Sequence, residues 1–461
     1  MFTRRPLLPS LLLLLLAALP LAAQWQALPS DSLRAILTTR VERGGATGIV
    51  LGVQERGGPR VVAVGRRGGP GSAPLDGQAV LEIGSVSKVF TTLLLAEMVG
   101  RGEVALEDPV QRYLPASVKV PERNGRVITL LDLATATSGL PRLPALEPAD
   151  PTNPYLDYHA EQLYAFLNGY TLPRDPGASY EYSNLGMGLL GHALERRAGK
   201  PYEALVMERL LQPLGMRDTR ITLTAPLAAR LAQGHDVSLE PVRTWEFDVL
   251  AGAGAWRSTV NDMLRLLAAC VSPPAGRVGD AIRLAIEPRR PAVPPNLSIG
   301  LGWHVLERNG KRIVWHNGQT GGYHSFAGFE AASGANVVVL SASAADIDDI
   351  GLHVLDGSVQ LRHPAPARPE VAVPEATLRK YVGRYELAPT FVVEVTAEGE
   401  KLFVQATNQP RFRVYAASAT RFFLKVVEAE VEFLTDSAGT ATTLVLHQGG
   451  RSTPGARLPG S

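Results

Sequence analysis

Cysteine is nearly missing from this chain of 461 residues, in which Cys270 is the single one. One cysteine cannot form a disulfide within the chain, which excludes a disulfide-stapled scaffold. Cys270 lies in the apolar run MLRLLAACV, which predicts a buried and inert thiol. A long basic run is also missing, and the 46 basic residues nearly balance the 44 acidic ones. This charge pattern is not that of a nucleic-acid-binding protein, so no nucleic acid partner is expected.

Metal-ligand spacing is another missing feature. The nine histidines include no pair arranged as H-E-x-x-H, so the sequence predicts neither a metal nor another cofactor. What is present is typical of a soluble globular protein, with 45% hydrophobic and 20% charged residues. The length allows two or three domains.

The N-terminus is predicted to be a signal peptide, residues 1–23. Arg4 and Arg5 precede a short apolar run, LLLLLLAALP, and the small residue Ala23 offers a cleavage position. The run is short and contains Pro20, which disfavours a permanent transmembrane helix. No integral membrane span is expected once the signal is cleaved. We therefore expect an exported protein, periplasmic or secreted, while an uncleaved anchor remains the alternative.

Strand-like segments lie at both ends of residues 24–362. The early pair ATGIVLGVQ and PRVVAVGRR flanks ERGG and predicts a hairpin, and the late runs include RIVWHN, HSFAGFEAA and NVVVLSAS. Helical patterns dominate between them, most clearly in NLGMGLLGHALERRAG. This order predicts an α/β (α+β) domain with one sheet built from both ends of the sequence and a helical subdomain inserted at about 105–250.

The C-terminal part has a different pattern. Residues 363–378 contain four prolines and predict a linker. Residues 379–450 hold about seven short β-like runs separated by turn residues, which is typical of a small all-β barrel or half-barrel.

The stretch EIGSVSKVF places Ser85 and Lys88 at the start of an apolar helix pattern. Residues three apart share a helix face, and a helix N-terminus favours developing negative charge. A desolvated lysine could take the proton of a serine hydroxyl and make it a nucleophile. The alternative without catalysis is a serine N-cap followed by an exposed lysine. This motif alone supports the two interpretations about equally.

Two further stretches carry polar groups in turn contexts. YEYSNLGMG holds Tyr182 and Asn184 before a helix, where a phenol could relay a proton and an amide could bind a substrate carbonyl. VWHNGQTGG places His316 and Gly318 at the end of a predicted strand, where glycine lets a ligand approach the backbone. The structural alternative for the first stretch is an asparagine that caps the helix. For the second stretch it is a glycine-rich turn with a surface histidine.

The order of these motifs, S-x-x-K, Y-x-N and H-x-G, resembles the serine hydrolase family of class C β-lactamases, D-alanyl-D-alanine carboxypeptidases and β-lactamase-like esterases. The stretches ITLLDLATATSGLP, LLQPLGMRDT and GAGAWRSTVNDMLRLL are also similar to the family. The resemblance covers roughly residues 30–360 and implies an antiparallel sheet flanked by helices. The C-terminal segment resembles the lipocalin-like domain of some peptidases in the family, which implies a role in homo-oligomer assembly or in covering the site.

The resemblance implies that Ser85 is the nucleophile of an acyl-enzyme. Lys88 and Tyr182 would form its proton-transfer network, with the base left unassigned between them. Asn184 would hold the acyl-side amide of the substrate.

On the opposite side, the resemblance implies that His316 binds the carboxylate or leaving-group side, next to Gly318. The oxyanion hole would consist of the backbone N–H groups of Ser85 and Gln319. The expected substrate is a small molecule or peptide, most simply a D-amino-acid peptide or an ester.

Two alternatives remain open at the level of sequence. Class C β-lactamases usually have Lys-Thr-Gly where this chain has His-Asn-Gly, so a permanent cation is replaced by a titrating imidazole, and this weakens the β-lactamase alternative. The second alternative is a non-catalytic penicillin-binding sensor. The complete set of Ser85, Lys88 and Tyr182 argues against it.

Overall fold

The computed structural model describes residues 25–55, 57–69, 71–362, 368–407, 409, 411–425, 427 and 429–459. The predicted signal peptide, residues 1–23, lies outside the described residues. None of the described helices is both long and apolar enough to cross a bilayer.

The helices, in chain order, are α1 (Ser30–Glu42), α2 (Ser87–Gly100), α3 (Leu130–Ala134), α4 (Ala160–Gly169), α5 (Asn184–Ala198), α6 (Tyr202–Val206), α7 (Ala225–Ala228), α8 (Ala251–Gly254), α9 (Val260–Val271), α10 (Arg277–Ile286), α11 (Asp348–Leu355) and α12 (Glu375–Leu378). A 3-10 turn, Gly84–Val86, leads directly into α2.

The strands are β1 (Gly48–Glu55), β2 (Gly58–Gly65), β3 (Leu81–Glu82), β4 (Gly234–His235), β5 (Pro241–Val242), β6 (Arg257–Ser258), β7 (Arg290–Val293), β8 (Leu297–Ile299), β9 (His304–Arg308), β10 (Lys311–Gln319), β11 (His324–Glu330), β12 (Ala335–Ser341), β13 (Gly383–Ala388), β14 (Phe391–Glu398), β15 (Lys401–Ala406), β16 (Arg411–Ala416), β17 (Arg421–Phe423), β18 (Ala429–Thr435), β19 (Ala441–Gln448) and β20 (Arg451–Arg457).

The large sheet has eight strands in the order β2-β1-β12-β11-β10-β9-β8-β7. The early hairpin joins the late strands where β1 pairs antiparallel with β12, with Ile49 opposite Ser341. The predicted α/β fold, with one sheet made from both ends of the first domain, is confirmed.

Both faces of this sheet are buried. Strand residues alternate between the two faces, so neighbouring residues enter different apolar clusters. Ile49 and Leu51 belong to one apolar cluster with α1 and α11, whereas the intervening Val50 belongs to the larger cluster that contains α2 and α9. In α2 every residue from Ser87 to Met98 is buried, as expected for a helix that is apolar on all sides. Cys270 of α9 is 1% exposed, so the predicted burial of this thiol is confirmed, and burial raises its pKa.

The C-terminal strands β13 to β20 form a closed antiparallel barrel around a core that includes Tyr385, Phe422 and Phe433. Seven of its strands correspond to the predicted β-like runs. The eighth, β20, extends the barrel beyond the predicted boundary at residue 450. Its sequence, RSTPGAR, lacks apolar alternation, so no sequence pattern marked it as a strand.

The predicted linker at 363–378 is shorter than expected. Residues 363–367 lie outside the described residues, but the Val371 N–H donates to the Ala416 carbonyl at 2.9 Å, and Val373 is buried in the barrel core. The end of this segment, α12, also belongs to the barrel, since Leu378 is part of its core. The second half of the segment is therefore part of the barrel's packing.

The barrel also contacts the first domain, at the turn between β4 and β5. Glu240 forms ion pairs with Lys401 and Arg413, and the Tyr415 hydroxyl donates to the Ser238 carbonyl. These contacts cross the boundary between the two domains.

Candidate active site

Ser85 lies in the 3-10 turn between β3 and α2, packed against the end of β10. Gly84 has a φ of +46°, and a Cβ there would lie 2.7 Å from the Gln319 nitrogen. A Cβ on Gly318 would lie 2.7 Å from the Ser85 nitrogen. Glycine is needed at both positions because any side chain would push the nucleophile turn away from the strand.

Lys88 lies one turn along, with its Nζ 2.9 Å from Ser85 Oγ and 2.7 Å from the Ala253 carbonyl oxygen. Its side chain is only 2% exposed. Burial lowers the pKa of Lys88 well below its usual value, and the nearby charge of Arg142 adds to this shift. An amine in this environment can be neutral and can accept the proton of Ser85.

Tyr182 lies next to Ser85 and Lys88, with the Lys88 Nζ 4.8 Å from the centroid of its ring. Burial raises the pKa of Tyr182 above its usual range, and polar contact with Ser85 opposes that shift. The phenol therefore stays protonated at neutral pH and can act as a hydrogen-bond donor.

Asn184 is the first residue of α5, and the local sequence explains its position. The Ser183 Oγ accepts the Gly186 N–H at 2.8 Å as the helix N-cap. The Asn184 Nδ2 donates to the Tyr155 hydroxyl at 3.3 Å, while its Oδ1 is buried without a hydrogen-bond partner among the described residues. Such an oxygen can accept a hydrogen bond from a substrate.

His316 faces the interior of this cluster. It is 1% exposed, its Nδ1 lies 2.5 Å from the Asn317 carbonyl oxygen, and its ring stacks on His304 at 5.0 Å. Burial, followed by the charges of His304 and Lys88, lowers the pKa of His316 well below its usual value. The expectation of an imidazole that titrates near neutral pH is wrong, because it assumed a solvent-exposed side chain. The ring lies 6.3 Å from Tyr182 and is neutral.

The backbone at Gln319 has the orientation that an oxyanion hole requires. The Thr320 N–H donates to the Tyr323 carbonyl at 3.0 Å, toward β11. Because the N–H groups of successive strand residues point to opposite sides, the Gln319 N–H points away from β11 and toward the nucleophile turn. The pairing of β9 with β10 ends at Trp315, so among the described strands the part of β10 after Trp315 has no neighbour on the β9 side. For the Ser85 N–H, the described part of the chain offers no hydrogen-bond acceptor.

Sequence reasoning missed one wall of the cleft, which is aromatic. Tyr155 stacks on Phe247 at 4.5 Å and meets Trp245 edge-on at 5.4 Å. With Ser85 and Asn184, these rings line one pocket. They come from loops without a regular pattern, and only folding brings them together.

A carboxylate–imidazole cluster lies beyond the end of β12. Its members His324, Asp346 and Asp348 place ligand-type atoms within 4.8 Å of one another. Arg362 pairs with Asp346 at 2.9 Å, and the Asn317 amide donates to Asp348 at 2.5 Å. Both carboxylates are thus paired within the chain, and the cluster makes no case for a metal.

A family model described as Beta-lactamase matches residues 33–352, and the chain belongs to this family. The family resemblance drawn from the three motifs is confirmed, and it is a family of serine hydrolases. A second model, described as a domain of unknown function (DUF3471), matches residues 367–456 and so spans the barrel.

Among curated relatives, the D-alanyl-D-alanine-carboxypeptidase/endopeptidase AmpH of Escherichia coli (strain K12) is 36% identical over 225 residues. That match spans 48% of this chain and 56% of the relative, little more than half of its length. Penicillin-binding protein 4* of Bacillus subtilis (strain 168) is 27% identical over 406 residues, 82% of this chain and 87% of that protein.

Two solved structures show the same fold at low identity. A class C beta-lactamase mutant aligns with a TM-score of 0.62 and 21% identity over 71% of this chain and 96% of its own. The D-alanine carboxypeptidase AmpC from Burkholderia cenocepacia aligns with a TM-score of 0.61 and 24% identity, covering 71% of this chain and 100% of its own.

Proposed function

We propose that this chain is an exported serine hydrolase that cleaves an amide or ester through an acyl-enzyme at Ser85. The observation that carries the proposal is the 2.9 Å contact between Ser85 Oγ and the Nζ of the buried Lys88. A serine hydroxyl needs an adjacent base to become nucleophilic, and a desolvated lysine can be that base.

In the proposed mechanism, Lys88 removes the Ser85 proton as Oγ attacks the substrate carbonyl. The N–H groups of Ser85 and Gln319 stabilise the negative charge that develops on the carbonyl oxygen. Tyr182 gives a proton to the leaving group and regains one from Lys88. The opposite directions of the two pKa shifts support this division between base and acid.

The remaining half of the reaction releases the acyl group. Water attacks the acyl-enzyme and passes a proton back through the same groups, restoring the Ser85 hydroxyl. Asn184 holds the acyl-side amide of the substrate, which its unpartnered Oδ1 suits. His316, buried and neutral, shapes the site beside Tyr182 and can offer no charge to a carboxylate.

For the substrate class we propose D-amino-acid peptides or related esters. The name of the E. coli relative supports the peptide assignment. A β-lactamase is the second candidate, supported by the Beta-lactamase of Pseudomonas fluorescens, 26% identical over 303 residues. The uncharged His316 in the third motif offers no fixed cation to the carboxylate of a β-lactam or to the free C-terminus of a D-Ala-D-Ala peptide, so the substrate panel below has to separate the two candidates.

Covalent labelling tests the acyl-enzyme directly. Intact protein is treated with a fluorophosphonate and with fluorescent penicillin, and the adduct is located by mass spectrometry. We expect an adduct at Ser85 that Ser85→Ala abolishes, while Ser179→Ala, an exposed serine beside Tyr180, is labelled normally. Absence of an adduct with both probes would favour the non-catalytic sensor.

A substrate panel then separates the activities. Nitrocefin, p-nitrophenyl butyrate, a D-Ala-D-Ala peptide and a D-amino-acid amide cover the β-lactamase, esterase and peptidase alternatives. Turnover of nitrocefin far above the peptide would replace the peptidase proposal with the β-lactamase one.

We also propose that residues 24–362 form the hydrolase domain and that the barrel is a second domain, a candidate surface for homo-oligomer assembly. Export is proposed from the N-terminal pattern alone. N-terminal sequencing of the protein from the extracytoplasmic fraction should begin near Gln24; retention in the cytoplasm would contradict export.

A further inference from the structure

Arg142 occupies a fixed place at the rim of the cleft. The Asn184 N–H donates to its carbonyl at 2.9 Å, the Leu185 N–H approaches the same oxygen at 3.3 Å, and the Ser183 Oγ donates to the neighbouring Pro141 carbonyl at 2.6 Å. Three hydrogen bonds thus attach the backbone of this loop to the first turn of α5, the turn that also carries Asn184.

The side chain of Arg142 reaches over the reacting groups. Its guanidinium carbon lies 5.1 Å from the Tyr182 ring centroid, and the residue is exposed. Across the ranges that the structure describes, no carboxylate pairs with it. By contrast, Arg174 in the next loop pairs with Glu181. Arg142 is therefore a permanent cation available to a ligand.

The other cationic side chains at the site cannot serve this purpose. Lys88 is 2% exposed and committed to Ser85 and Ala253, and His316 is 1% exposed and neutral. An anionic substrate group that enters the cleft therefore meets Arg142 as its accessible positive charge.

The position of Arg142 also indicates which part of the substrate it meets. It stands on the α5 side with Asn184, which in the proposed function holds the acyl-side amide. Gln319, with its oxyanion N–H, stands on the β10 side of Ser85. The Arg142 carbonyl accepts the Asn184 N–H, and the Arg142 guanidinium carbon lies 5.1 Å from the Tyr182 ring centroid, so both its backbone and its side chain are on the α5 side.

We propose that Arg142 is a specificity-determining residue that binds a carboxylate on the acyl portion of the substrate. This inference rests on the proposed function and narrows its substrate class to acyl groups that carry an anion. A planar guanidinium suits a carboxylate because its donors match both oxygens.

The test uses three D-alanine 4-nitrophenyl esters with N-caps of nearly equal size: butyryl (neutral), succinyl (anionic) and β-alanyl (cationic). Wild type should prefer the succinyl ester, and the preference should shrink at high salt because exposed charges are screened. Arg142→Ala should lower the ratio of kcat/KM for the succinyl ester to kcat/KM for the butyryl ester about five- to tenfold, because the loss of its charge near Lys88 affects both esters alike. Arg142→Lys should retain part of the preference.

Charge reversal makes the test independent of any general loss of activity. Arg142→Glu should prefer the β-alanyl ester, whereas Arg43→Ala, an exposed arginine at the end of α1, should match wild type. Equal losses for all three esters, with a shifted pH profile, would mean that Arg142 acts through Lys88 and would overturn the inference. Failure of the proposed function is distinct, since all esters would then remain intact in wild type.

Discussion

Replacing Lys88 with methionine separates the chemical role of its amine from its place in the core. Methionine keeps the unbranched stem and most of the volume of lysine, but it removes the proton acceptor 2.9 Å from Ser85 Oγ. General-base catalysis contributes roughly 10²- to 10⁴-fold. We therefore expect acylation to fall about 10³-fold, a change of about 4 kcal/mol in the activation free energy.

The stability of Lys88→Met should change far less than its activity. The Ala253 carbonyl loses its 2.7 Å donor, and an unsatisfied buried acceptor costs about 1–3 kcal/mol. A stabilising effect opposes this cost, because the wild-type amine is only 2% exposed and the variant no longer has to bury it. The two effects oppose each other, so we expect the free energy of unfolding to stay within about 2 kcal/mol of wild type.

The dependence of stability on pH gives a second signature of the buried amine. The pKa of Lys88 is lower in the folded chain than its ordinary value of 10.5, so between these two values the unfolded chain binds more protons than the folded one. Stability from this group therefore increases as pH rises through that window. Lys88→Met should remove this increase, as well as the rise of the acylation rate with pH.

The assay is stopped-flow acylation by a neutral p-nitrophenyl ester, with denaturant unfolding measured on the same preparations. Lys119→Met, on an exposed lysine, serves as the matched control and should acylate at the wild-type rate. Acylation of Lys88→Met within tenfold of wild type would refute the assignment of the amine as the base.

Tyr182→Phe should cost acylation nearly as much as Lys88→Met, with the double variant little worse, because residues acting as one unit are strongly non-additive; multiplying losses would show separate roles. His316→Lys should leave neutral esters within about tenfold and improve turnover of β-lactams, whose carboxylate would pair with the new amine and hold it protonated; unchanged β-lactam turnover would mean that burial at this position keeps the amine neutral. The wild-type preference for carboxylate-bearing over neutral esters should stay flat between about pH 6 and pH 8 because His316 remains neutral; a rise toward acid would show that it titrates. A chain ending at Arg362 should stay soluble and acylable, whereas an acylation-dead product would show that the barrel completes the site. Glu240→Gln in the full chain should loosen the barrel, which limited proteolysis can measure; an unchanged cleavage rate would mean that these ion pairs contribute little.

The sequence by itself predicted the parts of this protein that depend on local spacing. Ser85 and Lys88 lie three residues apart at a helix start, so sharing a face follows from helix geometry alone. The seven barrel strands show the alternation of half-buried strands, and the turn residues between two apolar runs mark the early hairpin. The order of the three motifs indicated the family, and with it the grouping of Tyr182 and His316 near the nucleophile.

Only the tertiary structure decided the charge state and the surroundings of these groups. His316 is neutral because folding buries it against His304, and burial depends on residues far away in the chain. Arg142 gained its place through hydrogen bonds from α5, which no spacing pattern encodes. The last barrel strand pairs with β19 on one side and β13 on the other and so closes the barrel, with Thr453 opposite Leu446 and Ala456 opposite Glu386. Backbone pairing needs no apolar alternation, so a strand of this kind leaves no trace in the hydrophobic pattern.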